Sequence, residues 1–130
     1  MNIKKIFRNL IVLDLFLFFL MIPIAIYESQ SVVNFNNENQ IQVGSIFDII
    51  LVVWLITTLV CLYFLYNFKS FGKQLYFFLF ILGIVLNLIS GPVAFGAVFY
   101  IVDGLSWTNG GAILCLLYFS PIKKEFDKKT

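Results

Sequence analysis

A chain of 130 residues that is 61% hydrophobic, 18% aromatic and only 12% charged, with a mean hydropathy of +0.95, lies far outside the composition of soluble domains. So short a chain cannot cover that much apolar surface with its own polar groups, and the expected solvent is a lipid bilayer. A formal charge of +2 is too small to imply a nucleic-acid partner, and no repeat or low-complexity linker divides the chain, which reads as a single domain, 1–130.

The nine basic residues fall in three places: Lys4, Lys5 and Arg8; Lys69 and Lys73; Lys123, Lys124, Lys128 and Lys129. The segments 27–44 and 91–100 carry none. Under the positive-inside rule this puts both termini and the 67–74 loop in the cytoplasm, so the number of crossings is even. The hydropathy pattern gives four. The expected fold class is an all-α polytopic membrane protein, four transmembrane helices forming a small antiparallel bundle.

The first crossing is read at 10–27, about 27 Å at the helical rise against a core of roughly 30 Å. A cleaved signal peptide is the competing reading, since a basic start, an apolar middle and Ser29-Gln30-Ser31 fit that parse. An 18-residue apolar stretch holding Asp14 favours an uncleaved crossing. Pro23 should bend its far end, because it cannot donate to the carbonyl of Phe19. The outer loop, 28–44, is rich in Asn and Gln. Val33, Phe35, Ile41 and Val43 alternate with polar residues about Asn36-Asn37-Glu38-Asn39, the pattern of a small surface β-hairpin or an irregular loop.

The second crossing, 46–66, has Ser45 and Asp48 at its start. The third, 75–91, ends at Gly91-Pro92, a helix-stopping pair. Residues 93–100 are apolar and too short to cross, and either extend that helix or dip back as a re-entrant turn packed on protein. The fourth crossing, 101–120, opens with a half too polar to face lipid all round, so it is expected to lie against other helices or a second copy. Tyr27, Tyr100 and Trp107 fall at one expected interface and Tyr63, Tyr66, Tyr76 and Tyr118 at the other, where amphipathic rings collect.

Small residues recur at helical spacing on the last two crossings. Gly83, Asn87, Ser90 and Ala94 share one face; Gly104, Thr108, Gly111 and Cys115 share another. Such faces let backbones approach closely in lipid, so the two helices are expected to pack through them.

Chemistry is sparse. With no histidine the commonest general base and metal ligand is missing. Cys61 and Cys115 stand singly in apolar runs, where thiols pack rather than react. No phosphate loop, zinc motif or serine triad assembles, and an enzyme is not expected. The acids remain. Asp48 and Asp103 stand at expected helix starts, where exposed amides and the helix dipole favour an anion; alternatively they form an outer site with Asn87 and Ser106 for a cation or proton. Asp14 lies at least a turn inside the first helix, beyond the reach of capping. It is expected to pair with Lys69 or Lys73, to act as an ion-coupling carboxylate, or to meet a partner protein.

The function expected from the sequence is a non-catalytic accessory, assembly or immunity-type subunit of the bacterial inner membrane. It would act by helix packing with itself or a membrane-protein partner, with lipid as its solvent and no cofactor or metal. The alternative is a minimal ion- or proton-coupled transporter using Asp14 or the Asp48 and Asp103 pair.

Overall fold

The computed structural model describes residues 2–39, 45–90 and 93–127. These residues form helices and no strands: α1 Ile3–Ile26, α2 Gln30–Asn39, α3 Ser45–Tyr66, α4 Ser70–Ile89, α5 Ala97–Phe119 and the short α6 Lys123–Phe126. Three of them, α1, α4 and Ile46–Tyr66 within α3, are long and apolar enough to cross a membrane. Helix α5 matches them in length, but Asp103, Ser106, Thr108 and Asn109 make it more polar.

The ends of these helices follow hydrogen bonding rather than hydropathy. Helix α1 starts well before residue 10, because the Asn2 side chain accepts the Lys4 N–H at 3.1 Å and caps it. Pro23 stays inside its last turn, and the Tyr27 N–H closes the end on the Pro23 carbonyl at 3.0 Å.

Residues 30–39 form helix α2, not the first arm of a hairpin; Ile41 and Val43 of the expected second arm lie outside the described residues. A two-stranded hairpin alone is marginal in water. The helix satisfies its own backbone and frees Asn36 for a tertiary contact. The Asn36 amide donates to the Ala94 carbonyl at 2.9 Å and accepts the Ala94 N–H at 2.7 Å. Residues 93–96 are thereby held as a short non-helical strap, and neither extend α4 nor turn back as a helix. The Gly91-Pro92 stop lies outside the described residues.

The four long helices pack as two close pairs, α1 with α5 and α3 with α4, while α1–α3 and α4–α5 touch more lightly. The α3–α4 hairpin turns at Phe68, whose φ of 55° is left-handed. Just beyond, Gly72 lies so close to α3 that a Cβ there would stand 2.9 Å from Phe64 Cβ and 3.1 Å from the Leu65 nitrogen. The Cys61 thiol donates to the Gly72 carbonyl in the same contact. Higher up, the Trp54 indole N–H donates to the Leu79 carbonyl at 2.9 Å.

In the other pair, α5 turns Val102, Asn109, Ile113 and Leu117 inward, at steps of seven, four and four. Gly104 and Gly111 therefore lie on the opposite face. A Cβ at either meets nothing within 4 Å, and Thr108 and Cys115 are exposed beside them. This corrects the expected packing of the last two crossings. The glycine of α5 that does pack is Gly110, whose Cβ would lie 3.1 Å from the Phe80 ring. On α4, Gly83 is buried under Trp54 and Trp107. Ser90 folds back on its own helix, donating to the Leu86 carbonyl at 2.6 Å.

One end of the assembly is closed by α6. Phe126 is buried between Phe7 and Phe68, with ring centroids 5.7 and 5.4 Å away, and Arg8 lies 5.1 Å over both Tyr66 and Phe68. Lys4 pairs with Glu125 at 2.7 Å and Lys73 with Asp127 at 3.3 Å. Outward-facing side chains of the four long helices are largely exposed and apolar, as lipid-facing surfaces are.

Candidate functional site

Because the two helix pairs meet only lightly, a cavity of about 470 Å³ remains between them. All four long helices line it: Asp14, Phe18 and Met21 from α1; Trp54 and Thr58 from α3; Tyr76, Phe80 and Asn87 from α4; Asp103, Ser106, Trp107 and Gly110 from α5. Its walls are mainly aromatic and aliphatic, with a few polar groups. That is the make-up of a small-ligand site.

Asp14 sits at this cavity, and its partner is Asn109 rather than a lysine. The Asn109 amide nitrogen donates to Asp14 Oδ1 at 2.8 Å and to the Leu10 carbonyl at 3.1 Å. The Leu10 carbonyl only accepts, so it fixes which way the amide points. The expected partners are engaged elsewhere or out of reach: Lys73 pairs with Asp127 and lies over the Tyr118 ring, and Lys69 is exposed at the α3–α4 turn. Asn109 itself is buried, and its Oδ1 has no hydrogen-bond partner among the described residues. A polar residue on the buried face of α5 was the one sequence signal for it. The reading of that half-helix as too polar for lipid pointed at it without naming it.

Asp103 is the seventh residue of α5, so it does not cap that helix as its position in the sequence had implied. The cap is Gly96, whose N–H is held by the Glu28 carboxylate at 3.0 and 3.2 Å across the two oxygens. Asp103 instead faces the cavity beside Trp107, one turn along. Asn87 and Ser106, the other members of the expected outer site, line the same cavity. Asp48 does not; it is exposed in the first turn of α3, where the helix dipole favours it.

Tyr76 is 5% exposed overall yet lines the cavity, and among the described residues its hydroxyl has no hydrogen-bond partner. It lies close to the Asp14–Asn109 pair, since a Cβ on Gly110 would be 3.3 Å from that hydroxyl. Thr58 spends its hydroxyl on the Trp54 carbonyl at 2.8 Å, and Asn87 its amide on the Gly83 carbonyl at 3.0 Å. Among the described residues no lysine or arginine reaches the cavity, and no group of three or more potential metal ligands forms. Two carboxyl groups therefore face a partly apolar space with no cation to balance them.

Compared with known proteins, the chain matches no family model, no curated protein and no solved structure.

Proposed function

We propose that this chain is a minimal ion- or proton-coupled transporter of the bacterial inner membrane, with α1, α3, α4 and α5 as its four crossings and both termini in the cytoplasm. The observation that carries this reading is the convergence of Asp14, Asp103, Asn87 and Ser106 on one cavity that no basic residue lines among those described. Uncompensated acids at membrane depth are costly, and a coupling ion or proton is what would make them tolerable. The distribution of lysines gives the orientation. Helix α6, through Phe126 packed on Phe7 and Phe68, closes one end of the bundle, the cytoplasmic one in this reading, so the cavity would face outward or sideways in this conformation.

The test is proton flux. Purified protein in liposomes containing a pH-sensitive dye should dissipate an imposed pH gradient, and Asp14→Asn, folded by circular dichroism and gel filtration, should not. A native protein without flux, or a variant with native flux, would remove the reading.

A second reading, an accessory subunit acting through helix packing, is favoured by one observation. The small-residue face of α5, with Gly104, Thr108, Gly111 and Cys115, is left uncovered among the described residues. Crosslinking through Cys115 in intact membranes tests it: a specific product with a second protein, or with a second copy, is the expected result.

A further inference from the structure

We infer that the cavity binds an organic ammonium, a protonated amine carried on an aromatic body, with its head at Asp14 and its ring beside Trp54, Phe80 and Trp107. This rests on the reading of the cavity as a ligand site, and goes on to name the ligand's chemistry.

Size comes first. A volume of about 470 Å³ lies within the roughly 300–1,000 Å³ of sites that hold small organic molecules. It far exceeds what a bare ion needs. Charge selects the sign: Asp14 and Asp103 both face the space, and among the described residues no basic side chain does. The walls select the body. Phe80 and Trp107 meet edge to face with centroids 5.2 Å apart, and Trp54 is fixed in place by its bond to the Leu79 carbonyl. Such rings present negative faces to a cation and apolar area to an aromatic ligand.

Hydrogen bonding places the head. One Asp14 oxygen accepts from Asn109, and Tyr76, which lines the same cavity, sets its hydroxyl nearby. The second Asp14 oxygen and the Tyr76 oxygen are acceptors for N–H groups, so a protonated amine fits better than a quaternary ammonium, which has none to give. Asp103 precedes Asn109 by six residues, about 9 Å along the helix. It stands towards the other end of the cavity, where its charge draws a cation in.

The test uses three ligands of one shape: 2-(1-naphthyl)ethylamine, 2-(1-naphthyl)ethanol and 1-naphthaleneacetate, positive, neutral and negative at pH 7. Binding to the full chain in mild detergent is measured by equilibrium dialysis against empty micelles. Both tryptophans of the chain line the cavity, so a change in their fluorescence on saturation shows where the ligand sits. The amine should bind at least tenfold tighter than the alcohol, and the acetate weakest. Asp14→Asn should abolish that preference. Tyr76→Phe, which keeps the packing, should weaken the amine severalfold and leave the alcohol unchanged. Equal affinity for amine and alcohol, or a preference untouched by both substitutions, overturns the inference and leaves the cavity as a ligand site of another class. No binding by any of the three also overturns it, and proton flux in liposomes, read separately, then decides whether the transporter reading survives.

Discussion

Gly83 and Gly111 both belong to the small-residue spacing of their helices, yet their surroundings make opposite demands. A Cβ on Gly83 would stand 2.8 Å from Trp54 Cζ2 and 3.4 Å from Trp107 Cη2. The Trp54 ring cannot swing aside freely, because its N–H is bonded to the Leu79 carbonyl and giving up that bond costs about 0.5–1.5 kcal/mol. Overpacking of this kind costs about 1–3 kcal/mol. At Gly111 a Cβ meets nothing within 4 Å. Replacing glycine by alanine inside a helix gains about 1 kcal/mol of intrinsic propensity at either site. That gain cancels in the comparison, so Gly83→Ala should be less stable than Gly111→Ala by about 1–3 kcal/mol. Thermal denaturation of the two variants in one mild detergent, read by circular dichroism, measures the difference. Gly83→Ala should melt below the native protein or level with it, and Gly111→Ala level or above. Equal midpoints would mean that α4 does not lie against Trp54 as described.

Further perturbations probe other parts of the chain. In a background lacking Cys61 and Cys115, single cysteines at Asn37, Lys73 and Lys128 test the orientation: only position 37 should react with an impermeant maleimide on intact cells, and outside labelling at 73 would refute four crossings. Glu28→Ala removes the carboxylate that holds the Gly96 N–H and should cost about 0.5–2 kcal/mol, as loss of a helix cap does, whereas exposed Glu38→Ala should be near neutral in the same melt. Phe126→Ala empties a site 1% exposed and should cost about 3–5 kcal/mol, with faster proteolysis of the tail. Lys4→Ala, which removes the Lys4–Glu125 pair at the same end, should cost no more than about 1 kcal/mol.

Composition and periodicity made the helical class and the second crossing legible, since 46–66 nearly coincides with α3 and an apolar run with no internal breaker admits little else. The starts of α1 and α4 were less visible. Hydropathy begins where the apolar residues begin, whereas helices begin where a cap or turn supplies hydrogen bonds, as at Asn2 and Phe68. The segment around Val33 and Phe35 read as a hairpin arm or an irregular loop because alternation was the local signal; the contact that fixes helix α2, Asn36 on Ala94, spans 58 positions and has no local trace. The same limit applied to Asp14. That it needed a polar partner followed from its apolar setting, but the lysines were the visible candidates, and the partner lay 95 residues on. Asp103 was singled out for the wrong place: the helix around it starts at Ala97, which moved it from a cap into the cavity.

That separation between Asp14 and Asn109 bears on how the protein is made. A ribosome adds about 5–20 residues per second, so the 95 positions between them take about 5–20 s to synthesise. Through that interval α1 carries a carboxyl group whose eventual hydrogen-bond donor does not yet exist. The α3–α4 pair, joined by a turn of three residues, 67–69, can close as soon as both helices have emerged, whereas α1 cannot find its mate until α5 is complete. The newborn chain therefore passes through a stage in which its first helix has only its lighter contact with α3 and no Asn109 to satisfy Asp14, which water, headgroups or an insertion factor would shelter until then. Substitutions at Asn109 should accordingly act first on yield in the membrane, by lengthening that exposed stage, before they are felt in the finished fold.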